Sequence, residues 1–407
     1  MHQNHDAASV SDPVATMRDL IQARIAVRRN QDIRGWGERT PQLTAALRAL
    51  TADQGREVAR EIWGHPDRQD LKWLLGLLAA SVPGALSSLT LDLAAAHLLL
   101  PSWLYLDAPS VTTEMVLQAL DDPAFHAERN LLLLALAWIS GDRVREQFAA
   151  WRADVPSWRN DLYLAPYEYA AEAGWELTPD GNRRQLYYTT SYELVPVDEA
   201  ELTPSSHAAA VATPHEASCG WCGRPLVTLL DIDLRDPRCA FVARELGSTD
   251  QPTTDSSYPA TRLRVAHCMW CSGFATLYTD VDLQGGSKWS TANGGPDDKP
   301  RILEQVGDGA GEDLGDPQPR RLALGKQRRT PFEVLGRFML DVTGISQFGG
   351  HPEWIQDAKY PLCPTCRRRM VCIGQVSWED INEFAEGSTY AFFCVPCGKA
   401  ATVYQQT

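Results

Sequence analysis

The sequence predicts a multidomain α+β fold, in which an N-terminal all-α domain precedes a duplicated β-rich domain. The chain has 407 residues, more than one hydrophobic core usually organises. Residues 13–172 contain no cysteine and carry Leu, Ala and Trp at helical spacing. Residues 219–407 instead contain four CxxC pairs near runs of β-branched residues. The predicted domains are residues 1–175 (helical), 176–215 (β-hairpin and linker) and 216–407 (β-rich, with long loops at 281–330).

The helical domain is predicted from apolar segments with start signals. Asp12 before Pro13 predicts a helix start, and Thr40 before Pro41 and Thr51 predict two more. Later segments such as LKWLLGLLAA and NLLLLALAWI are apolar on nearly all sides, as helices buried between layers are. Their spacing of about 40 residues per helix pair resembles HEAT-like repeats, and an irregular helical bundle is the alternative.

Polar and turn-forming residues mark the connection between the two domains. The segment around PDGN alternates apolar and polar residues, which predicts a hairpin with Asp180 and Gly181 in its turn. Residues 197–216 are rich in Pro, Ser and Ala and are predicted to be a linker.

The β-rich part contains an internal duplication. Residues 219–233, CGWCGRPLVTLLDID, align with residues 363–377, CPTCRRRMVCIGQVS. Residues 268–280, CMWCSGFATLYTD, align with residues 394–406, CVPCGKAATVYQQ. Apolar positions coincide along with the cysteines, so each copy is predicted to run CxxC, strand, insertion, strand, CxxC, strand.

These cysteines predict two structural zinc sites in a duplicated zinc-binding domain. A CxxC turn presents two thiolates on one side of a tight knuckle, and tetrahedral Zn²⁺ needs two such knuckles. Pairing within copies assigns Cys219, Cys222, Cys268 and Cys271 to the first site and Cys363, Cys366, Cys394 and Cys397 to the second. Four thiolates leave no coordination position for a catalytic water. Redox or iron–sulfur chemistry and unligated thiols are the alternatives.

Other reactive residues have ordinary structural interpretations. Cys239 and Cys372 fall outside the CxxC pairs and are predicted to be buried thiols. His215 and His267 lie near ligand cysteines and are predicted to support a site rather than ligate. Asp231 alternates with Asp233 on a predicted strand, where a solvated strand face competes with an acid–base role.

Residues 345–407 resemble a known family. QFGGHPEWIQDAKYPLCPTC, with MVCIGQV and YAFFCVPCGKAATVYQQT, looks like the YwqG-like family of uncharacterised bacterial proteins, and more distantly like the C-terminal part of programmed-cell-death-2-like proteins. The resemblance implies a β-rich zinc scaffold without established enzymatic activity. The eukaryotic relatives are chaperones for a basic ribosomal protein, and some bacterial members are candidate toxin-immunity proteins. The Arg367 of CPTCRRRM departs from the glycine that usually follows the second knuckle cysteine.

The element preceding the last two CxxC pairs is a candidate for partner binding. Glycines permit positive φ or close backbone approach, and a tryptophan is a frequent binding anchor. The candidate residues are Gly349, Gly350, Pro352, Trp354 and Gln356. The alternative is that Trp354 packs on the zinc unit.

Charge and composition restrict the function. The 38 basic and 52 acidic residues give a net charge of −14, which favours a basic protein partner over nucleic acid or an anionic membrane. Neither a signal peptide nor an apolar stretch long enough to span a bilayer is apparent, so a cytoplasmic protein is expected. We therefore predict a non-enzymatic, zinc-stabilised module that binds a basic partner, as an immunity protein or client chaperone. A nucleic-acid- or ribosome-associated zinc protein, suggested by PRRLALGKQRR and the arginines beside CPTC, and an enzyme of unrecognised type are the alternatives.

Overall fold

The protein is mixed α+β and has two compact units. The computed structural model describes residues 12–30, 39–69, 71–197, 208–242, 244, 260–273, 275–300, 320–340, 342–382 and 385–407. The helical unit comprises Met1–Gln185 with Phe332–Thr343, and the β unit comprises Leu186–Pro331 with Gly344–Thr407. Within the described ranges, no helix combines the length and apolarity needed to cross a bilayer.

The helical unit contains eight α-helices within the described residues. They are α1 (Pro13–Asn30), α2 (Thr40–Ala49), α3 (Ala52–Gly64), α4 (Lys72–Ser81), α5 (Thr90–Ala95), α6 (Ser110–Asp121), α7 (Arg129–Ile139) and α8 (Asp142–Ala153). The helix α4 buries almost all of its side chains, as its apolar sequence predicts. The HEAT-like arrangement of these helices stays a prediction.

Capping explains where several helices begin. Asp12 accepts hydrogen bonds from the amides of Val14 and Ala15 at 3.0 Å, which confirms the predicted start of α1. Thr51 forms a capping box with Gln54 at the start of α3, also as predicted. The prediction for Thr40 was wrong, because Thr40 lies inside the first turn of α2 and is buried there.

A segment far along the chain completes the helical core. Leu335, Leu340 and Val342 belong to the same buried cluster as the helices. Glu333 is 1 % exposed and pairs with Arg48 at 2.7 Å. A buried carboxylate of this kind requires a charged partner. The sequence assigns this segment to the zinc-binding domain, whereas the structure places it in the helical unit.

The predicted hairpin forms in the helical unit. Strands β1 (Trp175–Leu177) and β2 (Arg183–Gln185) pair antiparallel. Gly181 has φ +82°, and its amide donates to Thr178 O at 2.9 Å to close the turn. The turn residues therefore act as the sequence predicts.

The β unit contains one large antiparallel sheet. Its strands are β3 (Ser191–Val197), β4 (Ala208–Ser218), β5 (Pro225–Asp233), β6 (Arg262–His267), β7 (Leu277–Val281), β8 (Ser287–Trp289), β9 (Arg321–Gln327), β10 (Gln347–Gly349), β11 (Val371–Ser377), β12 (Ser388–Cys394) and β13 (Lys399–Gln405), with helix α9 (Trp378–Ile381) after β11. The strand order is β6-β5-β4-β9-β3-β10-β11-β12-β13-β7-β8.

Two predictions about irregular regions need correction. The predicted linker at 197–216 contains most of β4, which pairs with β5 and β9; residues 198–207 lie outside the described residues. The predicted loop region 281–330 contains β8 and β9, and residues 301–319 lie outside the described residues. Strand β8 pairs with its neighbour β7, whereas β9 pairs with the distant strands β3 and β4, which local sequence does not show.

The internal duplication extends to the strand register. Strands β5 and β6 of the first copy correspond to β11 and β12 of the second. The aligned cross-strand pairs are Val227 with His267 and Val371 with Phe393, then Thr228 with Ala266 and Cys372 with Phe392. The register shifts after Thr228 in the first copy and after Cys372 in the second. A bulge at the same aligned position in both copies confirms the duplication.

The end strands of the sheet lie close to other strands of the same sheet. A ring nitrogen of His267, on β6, is 3.2 Å from the hydroxyl of Thr402, on β13. The amide of Arg262 donates to Leu283 O, just after β7, at 3.0 Å. One buried apolar cluster includes side chains from both copies, among them Val265 and Phe393. The two copies therefore share a core.

Candidate metal centres

Each of the four CxxC pairs lies at the end of a strand. Cys219 and Cys222 connect β4 to β5, and Cys268 and Cys271 connect β6 to β7. In the second copy, one pair follows β10 and precedes β11, and the other connects β12 to β13. Because β5 pairs with β6 and β11 pairs with β12, the two turns of each copy come together at one end of a strand pair.

The first turn of each copy has the same backbone geometry. The amide of Cys219 donates to Arg224 O at 2.8 Å, and the amide of Gly223 donates to Cys219 O at 2.8 Å. In the second copy Cys363 donates to Arg368 O at 2.8 Å, and Arg367 donates to Cys363 O at 2.9 Å. These bonds hold the backbone in the knuckle that presents two sulfurs to one side.

In both knuckles the residue directly after the second cysteine has a left-handed backbone conformation. Gly223 has φ +71°, which costs glycine nothing. Arg367, the aligned residue, has φ +61°. A side chain in this region clashes with its own backbone, so the second knuckle contains strain that the first lacks.

The eight cysteines form the two predicted sets. Within each set the four Sγ atoms all lie within 4.8 Å of one another. The Sγ atoms of Cys219 and Cys271 are 3.8 Å apart, those of Cys222 and Cys268 are 3.7 Å apart, and those of Cys366 and Cys394 are 3.7 Å apart. A tetrahedral zinc with Zn–S bonds of about 2.3 Å holds its sulfurs about 3.8 Å apart. Each set can therefore hold one metal ion, and the spacing fits zinc.

One thiol in each set has a lowered pKa, whereas the pKa values of Cys268, Cys271, Cys394 and Cys397 are raised. The pKa of Cys219 is lowered by its hydrogen bonds with the side chains of Cys268 and Cys271, and the same bonds raise the pKa of those two thiols. Burial opposes ionisation of Cys366, yet its pKa is lowered to about 6 because the backbone and side chain of Arg368 hydrogen-bond to its sulfur. Thiolates are the metal-binding form of cysteine, so each site has a sulfur prepared to ligate.

The sequence predicts Arg368 only as one of the arginines that suggest nucleic-acid binding, and its role beside the sulfurs was missed. Its guanidinium interacts with Cys366, Cys394 and Cys397. A positive charge beside a cluster of thiolates offsets part of their mutual repulsion. Its aligned counterpart is Arg224, so an arginine at the same point of both copies was the available signal.

The surroundings of the two centres differ. The first centre lies in an apolar cluster with Trp221, Leu226 and Leu277, and the rings of Trp221 and Trp289 pack edge to face at 5.1 Å. In the second centre Cys366 and Cys397 are both partly exposed. The second centre is therefore the more accessible to solvent.

The remaining cysteines and histidines stay outside both sulfur sets. Cys239 and Cys372 are buried, and burial raises the pKa of each thiol to about 12. Burial lowers the pKa of His267 to about 3, and its ring packs near Trp378. His215 accepts a hydrogen bond from the amide of Ala217 at 3.0 Å. These contacts agree with the structural interpretation of all four residues.

The aspartates on β5 form ion pairs. Asp231 is buried and pairs with Arg262 and Arg264. Asp233 pairs with Arg235 at 2.7 Å. A carboxylate paired with two guanidiniums is occupied by charge-assisted hydrogen bonds. This arrangement explains Asp231 as a structural group.

The double glycine is explained by packing. Gly349 has φ +76°, and a Cβ atom there would collide with the carbonyl oxygen of Thr190. Gly350 has φ +78°, and a Cβ atom there would press on Ser191. Pro352 is also buried. These residues allow close approach of two segments of the β unit itself.

Trp354 packs within an aromatic cluster. Its ring centroid lies 4.5 Å from that of Tyr390 and 5.2 Å from that of Tyr360. Gln356 is exposed, and its side chain donates to Gln406 O at 2.8 Å. The contacts favour the packing role of Trp354, and partner binding by the five residues of this element stays a prediction.

We predict that Arg367→Gly stabilises the metal-loaded protein. Glycine removes the left-handed penalty, and the gain is about 0.5–1 kcal/mol after the extra chain entropy of glycine. The matched variant is Gly223→Ala, whose Cβ meets nothing within 4 Å, so that backbone strain alone should cost about 1 kcal/mol. Urea unfolding followed by tryptophan fluorescence measures both. A loss of stability in Arg367→Gly would contradict the prediction, because it would show that contacts of the arginine side chain stabilise the protein by more than its backbone strain costs.

We predict that Cys394→Ser loses one metal ion and unfolds part of the β unit. A structural four-thiolate site contributes on the order of 10 kcal/mol, more than most folds can lose. The metal content measured by elemental analysis should fall by one ion per chain, while the far-UV circular dichroism of the helices remains. The control is Cys372→Ala, which removes a buried thiol of the same copy that ligates nothing. Full metal content in Cys394→Ser would refute the ligand assignment.

Comparisons with known proteins identify a relative but not a function. The chain is 34% identical over 283 residues to a protein of Salmonella typhimurium described as "Uncharacterized protein YpfL". The aligned region is 69% of this chain and 59% of that protein, so the chain spans less than two thirds of its relative. No family model matches the chain, and no solved structure matches it.

Proposed function

We propose that the chain is a non-enzymatic protein-binding module, stabilised by two structural zinc ions, that holds or neutralises a basic protein partner. The proposal begins with the two four-sulfur sets. Soft thiolate ligands in tetrahedral arrangement suit zinc or iron–sulfur clusters. The spacing of sulfurs at 3.7–3.8 Å is that of a single tetrahedral ion. Four protein ligands on one ion leave no open position, which favours a structural role.

The observation that supports a basic partner is the charge of the chain. A net charge of −14 creates a negative potential that attracts basic surfaces and repels nucleic acid. We place the protein in the cytoplasm, because a reducing compartment keeps eight thiols available for metal.

The two units suit different parts of this task. A rigid sheet anchored at two metal centres is a platform whose surface does not rearrange on binding. A HEAT-like helical unit would add an extended concave surface. The resemblance of residues 345–407 to YwqG-like and programmed-cell-death-2-like proteins supports either an immunity protein or a client chaperone.

One of the basic residues that suggested nucleic-acid binding is buried and hydrogen-bonded within the protein. Arg328, in the run PRRLALGKQRR, is 4 % exposed. Its guanidinium donates to Gly344 O at 2.8 Å and Ser346 O at 3.2 Å. A side chain engaged in this way is not available to a phosphate.

We predict that affinity capture from the native host recovers a basic protein, and that binding weakens as salt rises. Between about 50 and 500 mM salt the screening length falls about threefold, which weakens steering between opposite charges. The control bait is an unrelated acidic protein of similar net charge and size, which removes partners bound by charge alone. An acidic partner, or binding indifferent to salt over this range, would contradict the proposal. Recovery of RNA in place of protein would favour the alternative.

A further inference from the structure

We propose that the second set of cysteines is a peroxide-sensitive switch, in which hydrogen peroxide joins Cys366 to Cys394 by a disulfide. The bond takes two of the four sulfurs away from a metal ion, so oxidation releases the ion from this set and leaves the first set loaded. The inference rests on the zinc sites of the proposed function and is independent of the partner.

The two reacting sulfurs lie close together before oxidation. Cys366 Sγ is 3.7 Å from Cys394 Sγ. A disulfide places its sulfurs about 2.05 Å apart, so the pair must approach by about 1.7 Å. Cys366 belongs to the turn before β11 and Cys394 is the last residue of β12. The bond therefore links the two knuckles of the set.

Cys366 is the sulfur of this pair that peroxide can reach. It is partly exposed, whereas Cys394 is 6 % exposed. Its neighbours Thr365 and Arg367 are both exposed. A solvent-accessible cysteine next to a second, resolving cysteine is the arrangement found in redox-sensing proteins. The first attack therefore belongs to Cys366 and the second to Cys394.

The reaction consumes one peroxide and two protons. The Cys366 thiolate attacks one peroxide oxygen, which forms an S–O bond, breaks the O–O bond and expels hydroxide. The Cys394 thiolate then attacks the sulfur of the resulting sulfenic acid, which forms the S–S bond and expels a second hydroxide. Each hydroxide takes a proton from solvent and becomes water. Two electrons pass from the sulfurs to the peroxide, which is thereby reduced.

A guanidinium lies beside the attacking sulfur. The side chain of Arg368 is hydrogen-bonded to Cys366. Guanidinium N–H groups at this position can also donate to the departing hydroxide and stabilise its charge. The aligned arginine of the first copy has a different neighbour, because the guanidinium of Arg224 lies over the ring of Trp270, 3.9 Å from its centroid.

The first set provides an internal control with the same sulfur spacing. Its aligned pair, Cys222 and Cys268, also has Sγ atoms 3.7 Å apart. Cys268 is buried, and the partly exposed Cys222 packs against the apolar cluster of Trp221. The ring of Trp289 covers Gly220 of the same knuckle, since a Cβ atom there would lie 2.5 Å from its Nε1. Access to the sulfur and the arginine beside it, not the sulfur spacing, therefore distinguish the two sets.

The test treats the zinc-loaded full chain with hydrogen peroxide after the reductant has been removed. A chromogenic chelator follows zinc release, and peptide mass spectrometry after blocking of free thiols maps the disulfides over time. We expect one ion per chain to leave together with formation of the Cys366–Cys394 bond, and the other ion to leave about tenfold more slowly. Dithiothreitol with added zinc should restore the starting state.

Variants test the two features that distinguish the sets, each after elemental analysis has shown two ions per chain. Arg368→Gln should slow the fast release about three- to tenfold, whereas the matched Arg224→Gln should leave it unchanged. Trp289→Ala should speed the slow release, because it uncovers the first knuckle. The buried thiols of Cys239 and Cys372 should stay reduced throughout.

The outcomes separate this inference from the proposed function. Equal release from both sets, no release, or a disulfide within a single CxxC turn would overturn the switch and leave the proposed function standing. A chain purified without zinc would show that the zinc part of the proposed function is wrong, and the disulfide map would then decide the switch alone. Earlier formation of the Cys366–Cys394 bond than of the Cys222–Cys268 bond supports it, and the reverse order refutes it.

Discussion

The convergence of four cysteine sulfurs in each of two sets is the constraint on which the β unit depends. Each set joins the turn before one strand to the turn after its partner strand, at sulfur separations of 3.7–3.8 Å. Without an ion, four thiols this close would have to share protons or separate. Binding a structural zinc contributes about 10–16 kcal/mol, comparable to the whole stability of a typical domain. If each set binds one zinc ion, metal binding and folding of this unit are one process.

Duplication explains why two centres occur in a single sheet, and divergence explains why they differ. Both copies keep the register of their strand pairs and the bulge at the same aligned position. They differ at the knuckle, where Gly223 is relaxed and Arg367 is strained. They also differ in exposure, since the first centre lies among tryptophans, whereas Cys366 and Cys397 of the second are partly exposed. The first set is therefore the better shielded from solvent.

The sequence correctly predicted the features that depend on residues close together in the chain. The eight ligand cysteines, the duplication and the hairpin at Gly181 follow from spacing and turn preference alone. Strand β4 was missed because a run of small residues with Pro214 resembles a linker until β5 and β9 pair with it. The segment Phe332–Thr343 was placed in the wrong unit because its packing partners lie far away in the chain.

X-ray absorption at the zinc edge, combined with elemental analysis of protein purified under reducing conditions, tests the four-sulfur account most directly. The account predicts two zinc ions per chain, matching the two sets of four cysteines. It also predicts a first shell of sulfur alone, four atoms at about 2.3 Å. Iron in place of zinc, a single ion, or a nitrogen or oxygen ligand in the first shell would contradict it.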